Sequence, residues 1–137
     1  MEFQCLMNPP RFVETKKVHR LKFALNETET QVIPQVTSWA TSTKWLMAHI
    51  RGKNISEDVI GRMVKFIIDI RDKTIYIVFD CLNGEPHIKA IVDAHMSGEW
   101  LTVEIEETEA PYGLEKGTKR KTDWNTRNKP VIETFKA

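Results

Sequence analysis

The sequence predicts an α+β domain. An N-terminal strand or hairpin comes first, then two amphipathic helices packed on one face of an antiparallel sheet that contains a three-stranded meander, and finally a basic C-terminal tail. Two observations carry this prediction. Residues 74–107 hold alternating apolar side chains around two tight-turn signals, Asn83-Gly84 and Ser97-Gly98, and such pairs favour two-residue hairpin loops. Upstream, residues 34–52 and 56–71 place apolar side chains at the spacing of a helix face.

In chain order, Asn8-Pro9-Pro10 is a break, and residues 11–25 alternate in two pieces. His19, Leu21, Phe23 and Leu25 share one side, and Arg20, Lys22 and Ala24 the other, as in one or two strands added to a sheet edge. Lys16-Lys17 is their turn or a charged guard on that edge. Pro34 suits a first helical turn, where its missing N–H costs nothing. Val36, Trp39, Ala40, Thr43, Leu46, Met47 and Ile50 form one helical face, with Gly52 as the stop. Residues 37–43, rich in Ser and Thr, are poor helix formers and the weak point of that helix.

Ser56 is a good N-cap for a second helix, with Glu57 and Asp58 in its first turn. Val59, Ile60, Met63, Val64, Ile67 and Ile68 form its apolar stripe. Gly61 costs about 1 kcal/mol inside a helix, which suggests close approach to another backbone.

Within the meander, both hairpin registers put Ile88, Ala90, Val92 and Ala94 on one face, opposite Ile75, Ile77, Phe79, Val103 and Ile105. The helices are expected on that face. The open face then carries Tyr76, Val78, Asp80, His87, Lys89, His95, Trp100, Glu104 and Glu106, with Asp80 opposite His87. Ile88, Ile91, Val92 and His95 also fit a helical period. The β-branched content and the Asn83-Gly84 turn favour a strand.

At 137 residues the chain is long enough for one domain with a sizeable core. Residues 1–110 are expected to form it, and 111–137 a basic extension packed on or beside it. The net charge of +1 makes the whole molecule no attractor of nucleic acid, so such a role needs a local patch. Cys5 and Cys81 are too few for a disulfide framework, and Cys81 reads as a small buried hydrophobe. The first ten residues lack the pattern of a secretory signal, and no apolar run reaches membrane-spanning length. The expected setting is the reducing cytoplasm, away from membranes.

Three constellations carry candidate chemistry. Residues 116–129 hold six Lys or Arg and one Asp around a tryptophan. Lys116, Lys119, Arg120, Lys121, Arg127 and Lys129 would contact phosphates of single-stranded or duplex nucleic acid, and Trp124 would stack on a base. A solvated charge run folded onto Glu104, Glu106, Glu107 and Glu109 is the plainer alternative. Arg11, Lys16, Lys17, Arg20 and Lys22 form a second basic cluster. Next, Tyr76 and Trp100 on the open face would anchor a protein partner, as in an inhibitor or adaptor. Finally, Asp80 beside His87 has the chemistry of a general-base pair for a hydrolase, though with no nucleophile or oxyanion loop beside it. No spacing supplies the three or four ligands of a zinc site, and no cofactor fingerprint is present. The expectation is therefore a small non-enzymatic binding protein, with nucleic acid as its ligand ahead of a protein partner.

Overall fold

The computed structural model describes residues 1–82 and 84–111. It is α+β, with two helices packed against a seven-stranded antiparallel sheet. The strands are β1 (Glu2–Met7), β2 (Arg11–Val13), β3 (Val18–Asn26), β4 (Leu46–Arg51), β5 (Ser56–Asp69), β6 (Thr74–Leu82) and β7 (Leu101–Glu107). Helix α1 (Ile33–Ser42) lies between β3 and β4, and α2 (Ile88–Ser97) between β6 and β7.

The sheet closes on itself. β1 pairs with β7 through residues 2–5 and with β3 through Leu6 and Met7. The remaining pairings run β7–β4–β5–β6–β3, so six strands form a ring. β2 continues β1 along the same edge of β3, after the break at Asn8-Pro9-Pro10. Pro9 and Pro10 cannot donate to a ladder, which accounts for the interruption.

Alternation then sorts every strand into an inner and an outer face. Phe3, Cys5, Leu21, Phe23, Leu46, Ile50, Ile75, Ile77, Phe79, Leu101, Val103 and Ile105 fill the interior. Helix α1 packs along β5 and sinks Val36 and Trp39 into this core. Helix α2 lies beside β1, burying Ile91 and Ala94, and His95 Nδ1 hydrogen-bonds the Met7 carbonyl at 2.8 Å. No helix among the described residues is long and apolar enough to cross a membrane.

Several predicted elements are confirmed and several are replaced. The hairpin at residues 11–25 is present, with Lys17 at φ 57° in its turn. Its inner and outer residues are as predicted, but β3 sits within the ring rather than at an edge. The faces of β6 and β7 also agree, except that Val78, expected on the open face, is fully buried.

The middle strand of the predicted meander does not exist. Residues 88–97 are α2, so Ile88, Ala90 and Val92 pair with no strand; Ala90 is partly buried against the core and Val92 is exposed. Gly84 has φ −77° and leads into a 3-10 turn at residues 85–87, with Pro86 in its first positions. Gly98 is the left-handed helix terminus at φ 68°, donating to Ala94 and His95 carbonyls. A helix stop and a hairpin turn use the same left-handed glycine, so Ser97-Gly98 suits either element.

The first predicted helix ends at Ser42, where Thr43 turns left-handed, and Leu46, Ala48 and Ile50 alternate inward from β4. The second predicted helix is β5. Val59, Gly61 and Met63 face inward, and a bulge between Met63 and Lys65 shifts the register. That bulge breaks strict alternation and gives the apolar residues a helix-like spacing. The close approach expected at Gly61 is real: a Cβ there would collide with the carbonyl oxygen of Asp80 on the paired strand.

Candidate nucleic-acid interface

The ring divides by charge. On the outer face of β2, β3, β6 and β5, successive partners across the ladder are Arg11, Arg20, Asp80 and Arg62. The next row is Lys22, Val78 and Lys65, and the one beyond is Ala24, Tyr76 and Ile67. Three guanidiniums and two ammoniums thus share a wall with one carboxylate. Strand alternation explains the gathering, because Arg20, Lys22, Arg62 and Lys65 all take outward positions over an apolar interior.

Asp80 organises the first row. Arg20 Nε donates to its Oδ1 at 2.7 Å and Arg20 Nη2 to its Oδ2 at 3.0 Å. The two side chains are only 19% and 11% exposed. This fork-to-fork geometry is the strong form of a carboxylate–guanidinium contact. It occupies both Asp80 oxygens and leaves Arg11, Arg62, Lys22 and Lys65 uncompensated by them.

Aromatic groups lie among these cations. The Arg62 guanidinium sits 4.0 Å from the Trp45 ring centroid, and Lys22 Nζ is 5.4 Å from that of Tyr76. Both are cation–π distances. Beside Trp45 and Arg62 opens a groove of about 530 Å³, reaching Lys16 in the β2–β3 turn and Asp80.

The other half of the ring is acidic. Glu2, Glu104, His49 and Asp58 follow one another across β1, β7, β4 and β5. His49 bridges two carboxylates, with Nδ1 2.8 Å from Asp58 and Nε2 2.7 Å from Glu106. These hydrogen bonds raise the His49 pKa, Glu106 contributing most and Asp58 next. The Asp58 pKa is lowered, by His49 first and then by Arg51, whose Nη2 lies 2.7 Å away. Two carboxylates on its ring nitrogens favour the protonated form of His49, which suits an ion-pair network better than a general base. No three His, Cys, Asp or Glu among the described residues are placed to hold a metal ion.

The predicted Asp80–His87 pair is not formed, because each residue has another partner. Asp80 binds Arg20, and His87 Nδ1 contacts Glu57 at the entrance to α2. The strand register that opposed them disappears with the middle strand. Lys89 and His95 are likewise on α2, where Lys89 pairs with Asp93.

Tyr76 is on the outer wall as predicted, and Trp100, 56% exposed, precedes β7. β6 and β7 lie three strands apart in either direction around the six-stranded ring, so Tyr76 and Trp100 belong to different parts of it. Lys116, Lys119, Arg120, Lys121, Trp124, Arg127 and Lys129 lie outside the described residues. Cys5 and Cys81 are free and buried, and burial pushes both thiols up to about 12.

Sequence reasoning missed Arg62, Lys65 and Trp45 as members of the site. A helix over residues 56–71 would not set Arg62 and Lys65 beside Asp80 and Val78, as the β5–β6 pairing does. The β-branched residues Val59, Ile60, Val64, Ile67 and Ile68 were the available signal for a strand. No known protein family, curated protein or solved structure matches the chain.

Proposed function

We propose that this chain is a non-enzymatic nucleic-acid-binding protein that meets the phosphate backbone with the basic wall of β3, β6 and β5. The observation that carries this reading is the continuous row Arg11–Arg20–Asp80–Arg62, backed by Lys22 and Lys65. Such a row supplies the local patch that a net charge of +1 otherwise denies the molecule. The acidic half of the ring gives the approach a direction, since a polyanion is repelled from β7 and β4. The tail cations Lys116, Lys119, Arg120, Lys121, Arg127 and Lys129, with Trp124, are a second contact element in this reading. Unbridged Cys5 and Cys81 fit the cytoplasm as its compartment.

The test is binding of a labelled oligonucleotide across a salt series. Affinity should be measurable at about 50 mM salt and fall steeply by about 200 mM, as counterion release requires. Arg62→Glu with Lys65→Glu should cost at least tenfold, whereas Glu104→Gln should not weaken binding. Lys119, Arg120 and Lys121 changed together to Gln should flatten the salt dependence if the tail contributes. No binding at the lowest salt, or equal binding by the charge-reversed variant, would overturn the proposal.

A second reading rests on exposed Trp100 and Met96, at 56% and 77%. Large apolar side chains in water are typical of protein-contact surfaces. An adaptor using this surface should lose its partner in pull-downs on Trp100→Ala, and retention of the partner would remove the reason for it.

A further inference from the structure

We infer that the groove beside Trp45 receives one unpaired base, which makes single-stranded nucleic acid the ligand of the basic wall. This inference rests on the nucleic-acid reading above and specifies its ligand. The groove's volume of about 530 Å³ falls within the range of sites that hold small organic groups. Val18, Val64 and Leu82 supply apolar lining, while Lys16 and Arg62 bring positive charge to it.

Asp80 decides which part of a nucleotide enters. Its carboxylate also lines the groove, with both oxygens already taken by Arg20. A phosphate placed there would face that carboxylate and would find no free charge from Arg20. A neutral base avoids the repulsion and gains apolar contact instead. The phosphates stay outside, beside Lys16, Arg62 and Lys65.

The Trp45–Arg62 pair supplies a stacking platform. The guanidinium is held 4.0 Å from the indole centroid, and both groups are planar surfaces on which bases stack. In a duplex each base is already stacked and hydrogen-bonded, so it cannot enter a groove without being extruded at a cost of a few kcal/mol. An unpaired base carries no such penalty.

Binding of labelled single-stranded, duplex and abasic single-stranded oligonucleotides of equal length distinguishes this inference from the reading beneath it. The single strand should bind more tightly than both others. Trp45→Leu should weaken single-strand binding by about tenfold, to the level of the abasic strand, and weaken duplex binding clearly less. Arg62→Lys, at an exposed position, keeps the charge and removes the planar group, so it should reduce the preference for the single strand even if Trp45→Leu does not fold. If the abasic strand binds as well as the normal one, or Arg62→Lys and a folded Trp45→Leu leave the preference intact, the base-binding groove is refuted and the basic wall stands. If none of the three oligonucleotides binds, both proposals fall.

Discussion

Asp80→Ala tests whether the basic wall is held in place by one carboxylate. The substitution deletes two charge-assisted hydrogen bonds, at 2.7 and 3.0 Å, from a pair that is only 19% and 11% exposed. Breaking a fully buried pair costs about 3–5 kcal/mol. Arg20 lies on the outer face and can turn toward water, so the cost here should be lower, about 2 kcal/mol. For a chain of this length that is a fall in melting temperature of roughly 6–10 °C. Asp80→Asn keeps one acceptor and should lose about half as much. Both variants remove the carboxylate charge beside Arg20, so oligonucleotide affinity at low salt should rise while stability falls. Chemical denaturation of the single and double variants with Arg20→Ala gives the coupling energy. A coupling below about 0.5 kcal/mol, the level of an ordinary surface ion pair, would refute the argument that this contact organises the row.

Three further outcomes follow from the geometry. Gly61→Ala should lose about 2 kcal/mol in urea unfolding, because the clash is with the Asp80 carbonyl and not with a movable side chain; a variant as stable as the wild type would contradict that packing. Gly98→Ala has open space around its Cβ but φ 68°, so it should cost about 1 kcal/mol from backbone conformation alone, with Gly98→Asn costing less; no loss from Ala would contradict the left-handed terminus of α2. The His49 cluster should give stability a two-sided pH dependence. The raised folded-state pKa of His49 contributes fully below its unfolded value, about 6.5, and is lost as pH rises through the folded value. The lowered pKa of Asp58 works oppositely, contributing above its unfolded value and fading as pH falls through the folded one. Above about pH 6.5 the melting-temperature gap between wild type and His49→Gln should therefore narrow with rising pH, and a gap that widens there would contradict the assignment.

The sequence carried the fold class and most of the faces of β3, β6 and β7, because those strands alternate over the ring interior, with buried Val78 on β6 the exception. It did not carry closure. That depends on β1, whose inward residues Phe3, Cys5 and Met7 alternate over only six positions before two prolines. β5 carries a helical pattern because Ile60 and Ile67 on its outer side are apolar like the inward Val59 and Met63, so Val59, Ile60, Met63, Val64, Ile67 and Ile68 fall at helical spacing. α2 is ambiguous in the opposite sense, since Ile88, Ala90, Val92 and Ala94 fit period two as readily as Ile91 and Ala94 fit period 3.6. Local pattern could not separate these cases; burial against distant strands does. The site followed the same line. Arg20, Lys22 and Asp80 were correctly placed outward, while Arg62 and Lys65 joined them only when β5 became a strand beside β6.

The most direct measurement is an amide chemical-shift map of the isotope-labelled protein titrated with a single-stranded oligonucleotide at low salt. The largest changes should fall at Arg20, Lys22, Arg62, Lys65 and Tyr76, with Glu104, Glu106 and His49 little affected. Shifts concentrated on β7 and β4, or none on β3, β6 and β5, would contradict a basic wall that recognises nucleic acid.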